Sequence, residues 1–453
     1  MSFGNHYYFP VSTTSFPKWI DRIMASKIDG PLPESANVVV IGSGFAGTAV
    51  SYYLQNEVSS DQSIVMLEAR AAVSGATSRN SGLIKPEYHR NHGEYVHKFG
   101  SKIAGQLVNF EIDNMKELAR ILALDSNLNE KADFQERIHL DAYSNPRSAE
   151  TAINDFYAFM ENEDVSVELK RKVQLLFGDL AKQLSNVPTT PFVIHYPNGS
   201  VNSYDFVTAM LTKAIQRGLD LYTNTLVEEV QQLDSGVWKI STSKGEIFAD
   251  KVVFTTNAYT QGLLPEFSKS IIPIRGVSSQ VDVSNTGNEH SLSIGSDIYV
   301  PQSKKLLYSS LGELEKQTNF MDNYNTVDDS TVSSQSLEYL QDNLGKVNSL
   351  VNATTTSSSS GIMAYTDDHF PYVGQLNELG KLDAYILAGC NCSGLSRMLL
   401  CSKELAKAVA LGSELSDRIP APYKVTRERM GLVDKLMQSV LNEREIRETR
   451  ARL

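Results

Sequence analysis

VVVIGSGFAG, at residues 38–47, is the stretch that decides the fold of this chain. Its first four residues are β-branched and apolar without a break, which predicts a parallel strand buried on both faces. Gly42 permits the tight turn after the strand, and Gly47 lets the following helix pack closely against it. Gly44 lets backbone N–H groups approach a pyrophosphate, which the helix N-terminus stabilises. The stretch therefore predicts a dinucleotide-binding βαβ unit.

A second apolar run, IVMLE at residues 64–68, completes this unit. Glu68 ends the second predicted strand, where a carboxylate accepts hydrogen bonds from an adenosine ribose. A glycine triplet alone often marks an ordinary tight turn, but the ordered set of strand, triplet, helix and acid favours a cofactor. The predicted cofactor contacts of this unit are Gly42, Gly44, Phe45, Ala46, Gly47, Glu68, Ala69 and Arg70.

Length and composition narrow the class of protein. A chain of 453 residues exceeds the size at which single cores usually stop growing, which favours two domains. The net charge is −11, from 42 Lys and Arg against 53 Asp and Glu, and it disfavours nucleic acid and anionic membrane surfaces as partners. No stretch approaches the roughly eighteen apolar residues of a membrane span, so we expect none.

The cysteines and the chain ends bear on localisation. The three cysteines are Cys390, Cys392 and Cys401. They lie in one late segment and cannot form a disulfide framework, which favours a reducing compartment. The N-terminus has no charged region followed by an apolar one, so we expect the protein not to be secreted. The final tripeptide Ala451-Arg452-Leu453 is a variant of the Ser-Lys-Leu peroxisomal address. We therefore expect a cytoplasmic or peroxisomal protein, with a peroxisomal import receptor as a candidate partner.

Hydrophobic periodicity organises the rest of the chain. Residues 95–185 carry helical spacing, which predicts either a substrate-side helical layer or a purely structural helical pair. Residues 203–218 predict a further amphipathic helix, and residues 271–350 alternate as in an antiparallel sheet. TTTSSSS, at residues 354–360, predicts a surface loop or a strand edge, and residues 425–450 predict an amphipathic tail helix.

The segment GATSRNSG, at residues 75–82, resembles the flavin-contacting loop of the D-amino-acid oxidase and sarcosine oxidase family (DAO), whose fungal and bacterial members often carry Gly-Ala-x-x-Arg-Asn-Gly-Gly there. Other segments resemble family motifs in family order: TNTLVEEV (223–230), VVFTTNAYT (252–260), GIMAYTDDHFPYVG (361–374) and AGCNCSGLSR (388–397). Together with the glycine turn, these segments span most of the chain. The ordered set is far more specific than any one of them.

The resemblance implies an α/β fold in which a glutathione-reductase-type FAD-binding Rossmann domain is interleaved with a mostly antiparallel substrate-binding domain. It implies an N-terminal arm at 1–36, an FAD-binding domain at 37–90, 200–265 and 355–415, a substrate-binding domain at 91–199 and 266–354, and a C-terminal tail at 416–453. It also implies further FAD contacts at Thr77, Ser78, Arg79, Asn80, Ser81, Gly82, Val227, Thr256, Asn257, Ala258, Asp368, Gly389, Asn391, Ser393, Gly394, Leu395 and Ser396.

Departures from the family pattern are equally informative. Relatives that bind flavin covalently use a cysteine where this chain aligns Gly361, so we expect noncovalent FAD. The usual Gly-His-Gly of the last motif is Cys392-Ser393-Gly394 here. The basic residues that clamp a substrate carboxylate align with Gly82 and Ser396.

Nearby cations offer substitutes for that clamp. Arg79, Lys85 and Arg397 are able to hold an anionic group, although Arg79 could instead hold the flavin loop and Arg397 could cap structure. The oxygen-activating lysine of related oxidases does not align clearly, because Lys304 and Lys305 have the character of turn residues.

The predicted function is FAD-dependent oxidation of a C–N bond in an amine or amino-acid-like small molecule. Hydride would pass to flavin N5, the imine would hydrolyse, and oxygen would accept the electrons to give hydrogen peroxide. The candidate catalytic residues are His369, Arg397 and Arg79, with a surface or structural histidine as the alternative reading of His369. We assign no metal ligands. Two alternatives stay open: a dehydrogenase with a non-oxygen acceptor, and a non-catalytic flavin-binding protein with an interaction or trafficking role.

Overall fold

Two sheets organise the chain, whose computed structural model describes residues 8–12, 30–59, 61–283, 290–302, 305–310, 323–350, 353–391 and 393–431. Several predictions lie outside these residues: those on Cys392, Lys304, Ala451-Arg452-Leu453, most of the N-terminal arm and most of the tail helix. No helix of the described part is long and apolar enough to cross a membrane.

The strands are β1 (Ser35–Ile41), β2 (Ile64–Leu67), β3 (Leu83–Ile84), β4 (Gln135–Tyr143), β5 (Gln174–Phe177), β6 (Phe192–Ser200), β7 (Leu219–Tyr222), β8 (Val227–Gln232), β9 (Trp238–Thr242), β10 (Gly245–Phe254), β11 (Ile272–Asp282), β12 (Ser291–Ile294), β13 (Asp297–Gln302), β14 (Lys305–Ser310), β15 (Thr354–Tyr365), β16 (Tyr372–Gln375) and β17 (Ala384–Ala388). The helices are α1 (Phe45–Leu54), α2 (His92–Phe99), α3 (Ser101–Leu124), α4 (Ser126–Ala132), α5 (Pro146–Glu161), α6 (Val167–Lys172), α7 (Gly178–Ser185), α8 (Ser203–Gln216), α9 (Thr260–Leu263), α10 (Ser334–Leu344), α11 (Met398–Leu411) and α12 (Arg427–Met430).

The first sheet has the order β16-β17-β10-β1-β2-β7, with the β8–β9 hairpin attached to β10. Neighbours from β17 to β7 run parallel, and β16 is antiparallel to β17. The apolar run of β1 is buried at the centre, as its uninterrupted branched residues predicted. Because β1, β2, β10 and β17 are parallel, the loops at their carboxyl ends meet at one edge.

The second sheet has the order β15-β11-β14-β13-β12-β4-β6-β3, with β5 beside β6. It is antiparallel except where β12 runs parallel to β4. One face packs its core on α10, through Tyr299, Tyr308 and Leu340 among others. The opposite face meets the segment after β2, because Ser278 Oγ donates to Arg79 O (2.7 Å) and Lys85 Nζ donates to Ser293 Oγ (3.2 Å).

The α/β class with an interleaved antiparallel domain is confirmed. The helical prediction for residues 95–185 holds for α3 but missed β4, a central strand of the second sheet. β4 escaped the pattern because its two faces are both buried, and one of them carries His139 and Asp141. The TTTSSSS segment, predicted as a surface loop or a strand edge, lies in β15, an edge strand of this sheet.

Candidate active site

In the glycine turn after β1, Gly47 and Gly44 differ in whether the protein has room for a side chain. Gly42 has φ +103°, and its N–H donates to Leu67 O at 2.8 Å. A Cβ on Gly47 would lie 2.0 Å from Gly42 O, so α1 crosses the strand end at a distance that only glycine allows. A Cβ on Gly44 would meet Thr77 Oγ1 at an ordinary 3.5 Å. The protein itself therefore tolerates a side chain at 44, and the open cradle there fits a phosphate group.

The predicted adenine side gathers around Glu68. Its carboxylate accepts hydrogen bonds from the Ser43 N–H (2.9 Å), the Ser43 hydroxyl (2.7 Å) and the Arg70 N–H (2.9 Å). Thr225 N–H donates to the Glu68 carbonyl at 2.8 Å, which brings the segment before Val227 alongside the end of β2. Ala69 lies between Glu68 and Arg70 in the sequence. The structure thus joins three segments that the sequence assigned to one cofactor.

The loop at residues 75–82 begins with a short 3₁₀ turn, Ala76–Ser78. Thr77 Oγ1 accepts the N–H of Phe45 (3.0 Å) in the first turn of α1, and Ser78 Oγ donates to Gly75 O (2.9 Å). Asn80 Oδ1 accepts the N–H of Gly82 (2.8 Å) and the hydroxyl of Ser203 (2.8 Å). Ser81 is buried in the same loop. The loop is therefore fixed against both α1 and α8.

Asp329 ties two predicted cofactor residues to the second domain. It is fully buried and pairs with Arg70 Nη1 at 2.9 Å and with Arg79 Nη2 at 3.6 Å. Arg79 also donates to the carbonyls of Ser74 (3.1 Å) and Ser360 (2.5 Å). These contacts place the Arg79 guanidinium among groups of the protein, which favours the reading that it holds the loop.

The turn after β10 lies beneath the glycine turn. Thr255 Oγ1 donates to Ile41 O at 2.7 Å, and Asn257, at φ +45°, accepts the Cys390 N–H at 3.1 Å. Thr256 Oγ1 bonds Thr260 Oγ1 at 2.9 Å, and Ala258 is buried. The turn therefore connects the glycine motif to the segment after β17.

Hydrogen bonds join the segment after β17 to the loop after β15. Gly389 has φ +75°, and Asn391 Oδ1 accepts the Thr366 N–H at 2.9 Å while its Nδ2 donates to Thr366 Oγ1 at 2.8 Å. A 3₁₀ turn, Gly394–Ser396, leads into α11, and Ser396 Oγ donates to Ser393 O at 2.8 Å. Leu395 O accepts from Asn114 Nδ2 at 3.1 Å. Both predicted ring-side segments thus form one unit.

Arg397 forms the centre of a buried ion-pair network. Its Nε donates to Glu111 Oε1 (2.6 Å), its Nη2 to Glu87 Oε2 (3.1 Å) and its Nη1 to the His369 carbonyl (2.7 Å). Glu87 also accepts from Ser393 Oγ at 2.9 Å. Burial alone would raise the pKa of Glu87, but the cations around it, led by Arg397, lower that pKa to about 2. For Glu111 burial prevails and raises the pKa to about 7.

His369 lies on the loop after β15. Its backbone has φ +61°, its side chain is exposed, and its ring meets Tyr365 edge-on with centroids 5.7 Å apart. The preceding Asp368 accepts from Arg429 Nε (2.6 Å) and Nη2 (3.0 Å). The histidine is thus presented from a loop that two arginines, Arg397 and Arg429, hold in place.

A second polar cluster covers the face of the second sheet that meets the flavin-type loop. Asp141 is buried and contacts Lys85 Nζ (2.9 Å), His139 Nε2 (3.3 Å), His89 Nε2 (3.4 Å) and Tyr196 OH (2.9 Å). Burial opposes ionisation of Asp141, but Lys85 and Arg90 keep its pKa well below the usual range. Burial lowers the pKa of His139 to about 4, so this imidazole is neutral near pH 7.

The described residues thus bring the predicted contacts together at the carboxyl edge of the first sheet, and their roles stay predictions. Lys305 is exposed at the start of β14. Burial raises the pKa of Cys390 to about 12. Sequence reasoning missed Glu87, Glu111, Asp329 and Arg429. Each acts through a partner far away in the chain, so no local motif marks it.

A glycine turn at the end of a parallel sheet, joined to an antiparallel sheet with a polar face, is typical of a dinucleotide-binding fold. The model of the FAD dependent oxidoreductase family (DAO) matches residues 37–408, so the chain belongs to this family. Family membership confirms FAD as the cofactor. The glycine cradle, Glu68 and the ring-side loops are the residues that would hold it.

Solved structures of low sequence identity share the fold. Glycine oxidase from Geobacillus kaustophilus has a TM-score of 0.70 at 20% identity, covering 87% of this chain and 99% of that one. L-proline dehydrogenase from P. horikoshii has a TM-score of 0.69 at 18% identity, covering 89% and 100%. L-amino acid deaminase from Proteus vulgaris, without its specific insertion, has a TM-score of 0.67 at 16% identity, covering 89% and 97%. No curated protein sequence matches the chain.

Proposed function

We propose that this protein uses noncovalent FAD to oxidise a C–N bond in an amine or amino-acid-like small molecule. The observation that carries the proposal is the convergence of the five family-like segments into one hydrogen-bonded site beside the polar face of the second sheet. The neighbours named above act on glycine, proline and amino acids, which supports a C–N substrate for the shared fold.

The residues support noncovalent attachment of FAD. A side chain at Gly361, where covalent relatives carry their cysteine, would meet the Arg79 side chain at 3.0 Å. The bound flavin would supply hydride acceptance, the step that the side chains of the chain cannot perform. The chain would orient the substrate and shield it from water.

Substrate recognition falls to the polar face rather than to Arg397. Every nitrogen of Arg397 donates to Glu87, Glu111 or His369, so we assign it a positioning role. On the polar face, the cations Lys85 and Arg90 both face the buried carboxylate of Asp141, and His139 beside it is neutral. We propose that these two cations attract a substrate that carries an anionic group.

Purification and anaerobic reduction test the proposal. The full chain, loaded with FAD, is mixed anaerobically with panels of amines, amino acids, 2-hydroxy acids and polyols, and bleaching of the flavin absorbance is followed. We expect bleaching by at least one amine or amino acid, with acidic compounds ahead of their neutral amides. A chain that takes up no FAD, or that is bleached only by hydroxy compounds, would overturn the C–N assignment.

We further propose oxygen as the electron acceptor. The reduced protein is exposed to air, and both flavin reoxidation and hydrogen peroxide are measured. Reoxidation within seconds with stoichiometric peroxide supports an oxidase. Reduced flavin that persists for minutes in air, but is reoxidised at once by a quinone, supports a dehydrogenase instead.

Peroxide formation would give a peroxisomal location a chemical reason. We propose that Ala451-Arg452-Leu453 acts as an import signal. A fluorescent protein carrying the last twelve or so residues of the chain should enter peroxisomes, and deletion of Leu453 should leave it in the cytosol. A cytosolic signal for both would contradict the proposal.

A further inference from the structure

We propose that Arg429 is a positioning residue for the FAD site, because it sets the shape of the loop that presents His369. Arg429 lies outside the family match, which ends at residue 408. The inference rests on the proposed function, since it assigns the loop at residues 366–371 to the flavin site. It adds the segment from residue 419 to residue 431 to the machinery of that site.

The guanidinium of Arg429 is fully used by this loop and its neighbour. Nε and Nη2 form a two-point pair with the Asp368 carboxylate at 2.6 and 3.0 Å. Nη2 also donates to Phe370 O (2.5 Å), and Nη1 donates to Pro371 O (2.8 Å) and Tyr423 O (3.0 Å). A guanidinium has five N–H donors, and these contacts engage all five. A lysine could replace the charge but not this planar fork.

The segment that carries Arg429 is itself fixed. The guanidinium carbon lies 3.7 Å from the centroid of the Tyr372 ring, and Tyr372 OH donates to Arg429 O at 3.2 Å. Thr426 Oγ1 caps α12 by accepting the Arg429 N–H at 3.2 Å, and Ser270 Oγ donates to Met430 O at 2.8 Å. Arg429 is 7% exposed. The contact is therefore a built, desolvated one and not a surface ion pair.

Two arginines donate hydrogen bonds to three consecutive carbonyls of the loop. Arg397 binds the carbonyl of His369, and Arg429 binds those of Phe370 and Pro371. His369, the first of these three residues, has φ +61° and an exposed side chain. Such a backbone conformation is unfavourable for histidine and persists only where its surroundings impose it.

The loop is also bonded to the segment assigned to the flavin ring. Thr366, at the start of the loop, exchanges two hydrogen bonds with Asn391, which follows Gly389. A change at Arg429 would therefore reach the ring side through the backbone, although Arg429 itself has no assigned contact with FAD.

The test compares Arg429 with Arg427, an exposed arginine on the same helix. Full-length R429M, R429K, R427M and R427K are loaded with FAD. FAD affinity, the visible flavin spectrum, the flavin reduction potential and the kcat against KM of turnover are measured. We expect R429M to bind FAD at least tenfold more weakly and to show an altered flavin spectrum, and R429K to be intermediate. Both Arg427 variants should match the wild type.

Two further measurements keep the test decisive. D368N weakens only the two-point pair, so it should reproduce part of the spectral change of R429M, and the double variant should be no worse than R429M alone. Two alanine variants, R429A and R427A, are made for a rescue measurement: guanidinium ion at low millimolar concentration should partly restore the spectrum of R429A and leave that of R427A unchanged. If R429M does not fold, R429K decides the outcome, because Asp368 is itself a predicted FAD contact.

An R429M or R429K protein with unchanged FAD affinity, spectrum and potential overturns the inference while leaving the proposed function intact. Failure of the wild type to bind FAD overturns the proposed function itself. The two failures are therefore distinguishable.

Discussion

The glycine turn and the arginine-held loop sit at the same edge of the first sheet but owe their shapes to different forces. The turn at residues 42–47 is set by backbone sterics, since a Cβ on Gly47 would lie 2.0 Å from Gly42 O. The loop at residues 366–371 is set by two buried guanidinium groups that come from later in the chain. The turn is therefore complete once β1 and α1 are packed, whereas the loop depends on long-range assembly.

This difference teaches where the site is robust and where it is tunable. A steric junction has one solution, and substitution there breaks the fold. A buried ion-pair network has a stability that depends on protonation and on every partner being present. We expect variants of the turn to act on folding and FAD capture, and variants of the network to act on stability in a pH-dependent way.

Gly47→Ala is expected to have the largest effect. The new methyl would overlap a backbone oxygen, so we expect destabilisation of about 5 kcal/mol, measured by urea unfolding of the FAD-free protein. Gly44→Ala is the matched control, because its methyl would meet Thr77 Oγ1 at 3.5 Å. That variant should stay within about 1 kcal/mol of the wild type while binding FAD at least about tenfold more weakly. Equal unfolding free energies for the two variants would break the steric account of the turn.

The glycine turn and the strands beside it were predicted well from the sequence, because the physical causes of their structure act between residues that are close in the chain. The branched residues of β1 require burial, Gly42 and Gly47 have steric causes a few residues away, and Glu68 ends the next strand. The segments beside them came from resemblance to a family, which supplied their order and assignment. Their convergence at one edge followed from the parallel strands.

The residues that hold the segments assigned to the flavin ring were not predicted, because their interaction partners lie far away in the chain. Glu111 lies in the middle of α3 and reads as one more charge on an amphipathic helix, yet it is buried against Arg397. Asp329 and Arg429 belong to no motif. Asp329 lies 259 residues from its partner Arg70, and Arg429 lies 61 residues from its partner Asp368. A long-range ion pair leaves no periodic trace in a single sequence, so only the fold reveals it.

Arg397→Met should have the next largest effect. It would leave Glu87 and Glu111 buried without their shared cation, and we expect a loss of about 3 to 4 kcal/mol in urea unfolding. Arg397→Lys keeps the charge but offers no fork, so it should recover only part of that loss. A methionine variant as stable as the wild type would show that the network does not hold the loop.

Glu111→Gln should change how stability depends on pH. The pKa of Glu111 is raised from an ordinary 4.5 to about 7, so the folded chain binds this proton more tightly than the unfolded chain. The associated stability is full below pH 4.5 and is lost as the pH rises to about 7. At about 1.4 kcal/mol per pKa unit, the wild type should lose about 2 to 3 kcal/mol over this range relative to Glu111→Gln.

Urea unfolding at several pH values between these limits measures that difference. Glu150→Gln, at an exposed position of α5, is the control and should follow the wild type. Glu87 acts with the opposite sign: its pKa is lowered to about 2, so its contribution is present above its ordinary value and disappears only on strong acidification. If the free energy of unfolding varies with pH in the same way for the wild type and Glu111→Gln, the raised pKa assigned to Glu111 is contradicted.

Thr77→Val should have the smallest effect and tests the join between the two regions. Thr77 Oγ1 accepts the Phe45 N–H at 3.0 Å, so it links the flavin-type loop to the first turn of α1. Valine keeps the shape and removes the acceptor, which should cost about 1 kcal/mol in the FAD-free protein. Thr77→Ser retains the hydroxyl and should lie nearer the wild type. If serine and valine destabilise equally, packing rather than this hydrogen bond joins the loop to the helix.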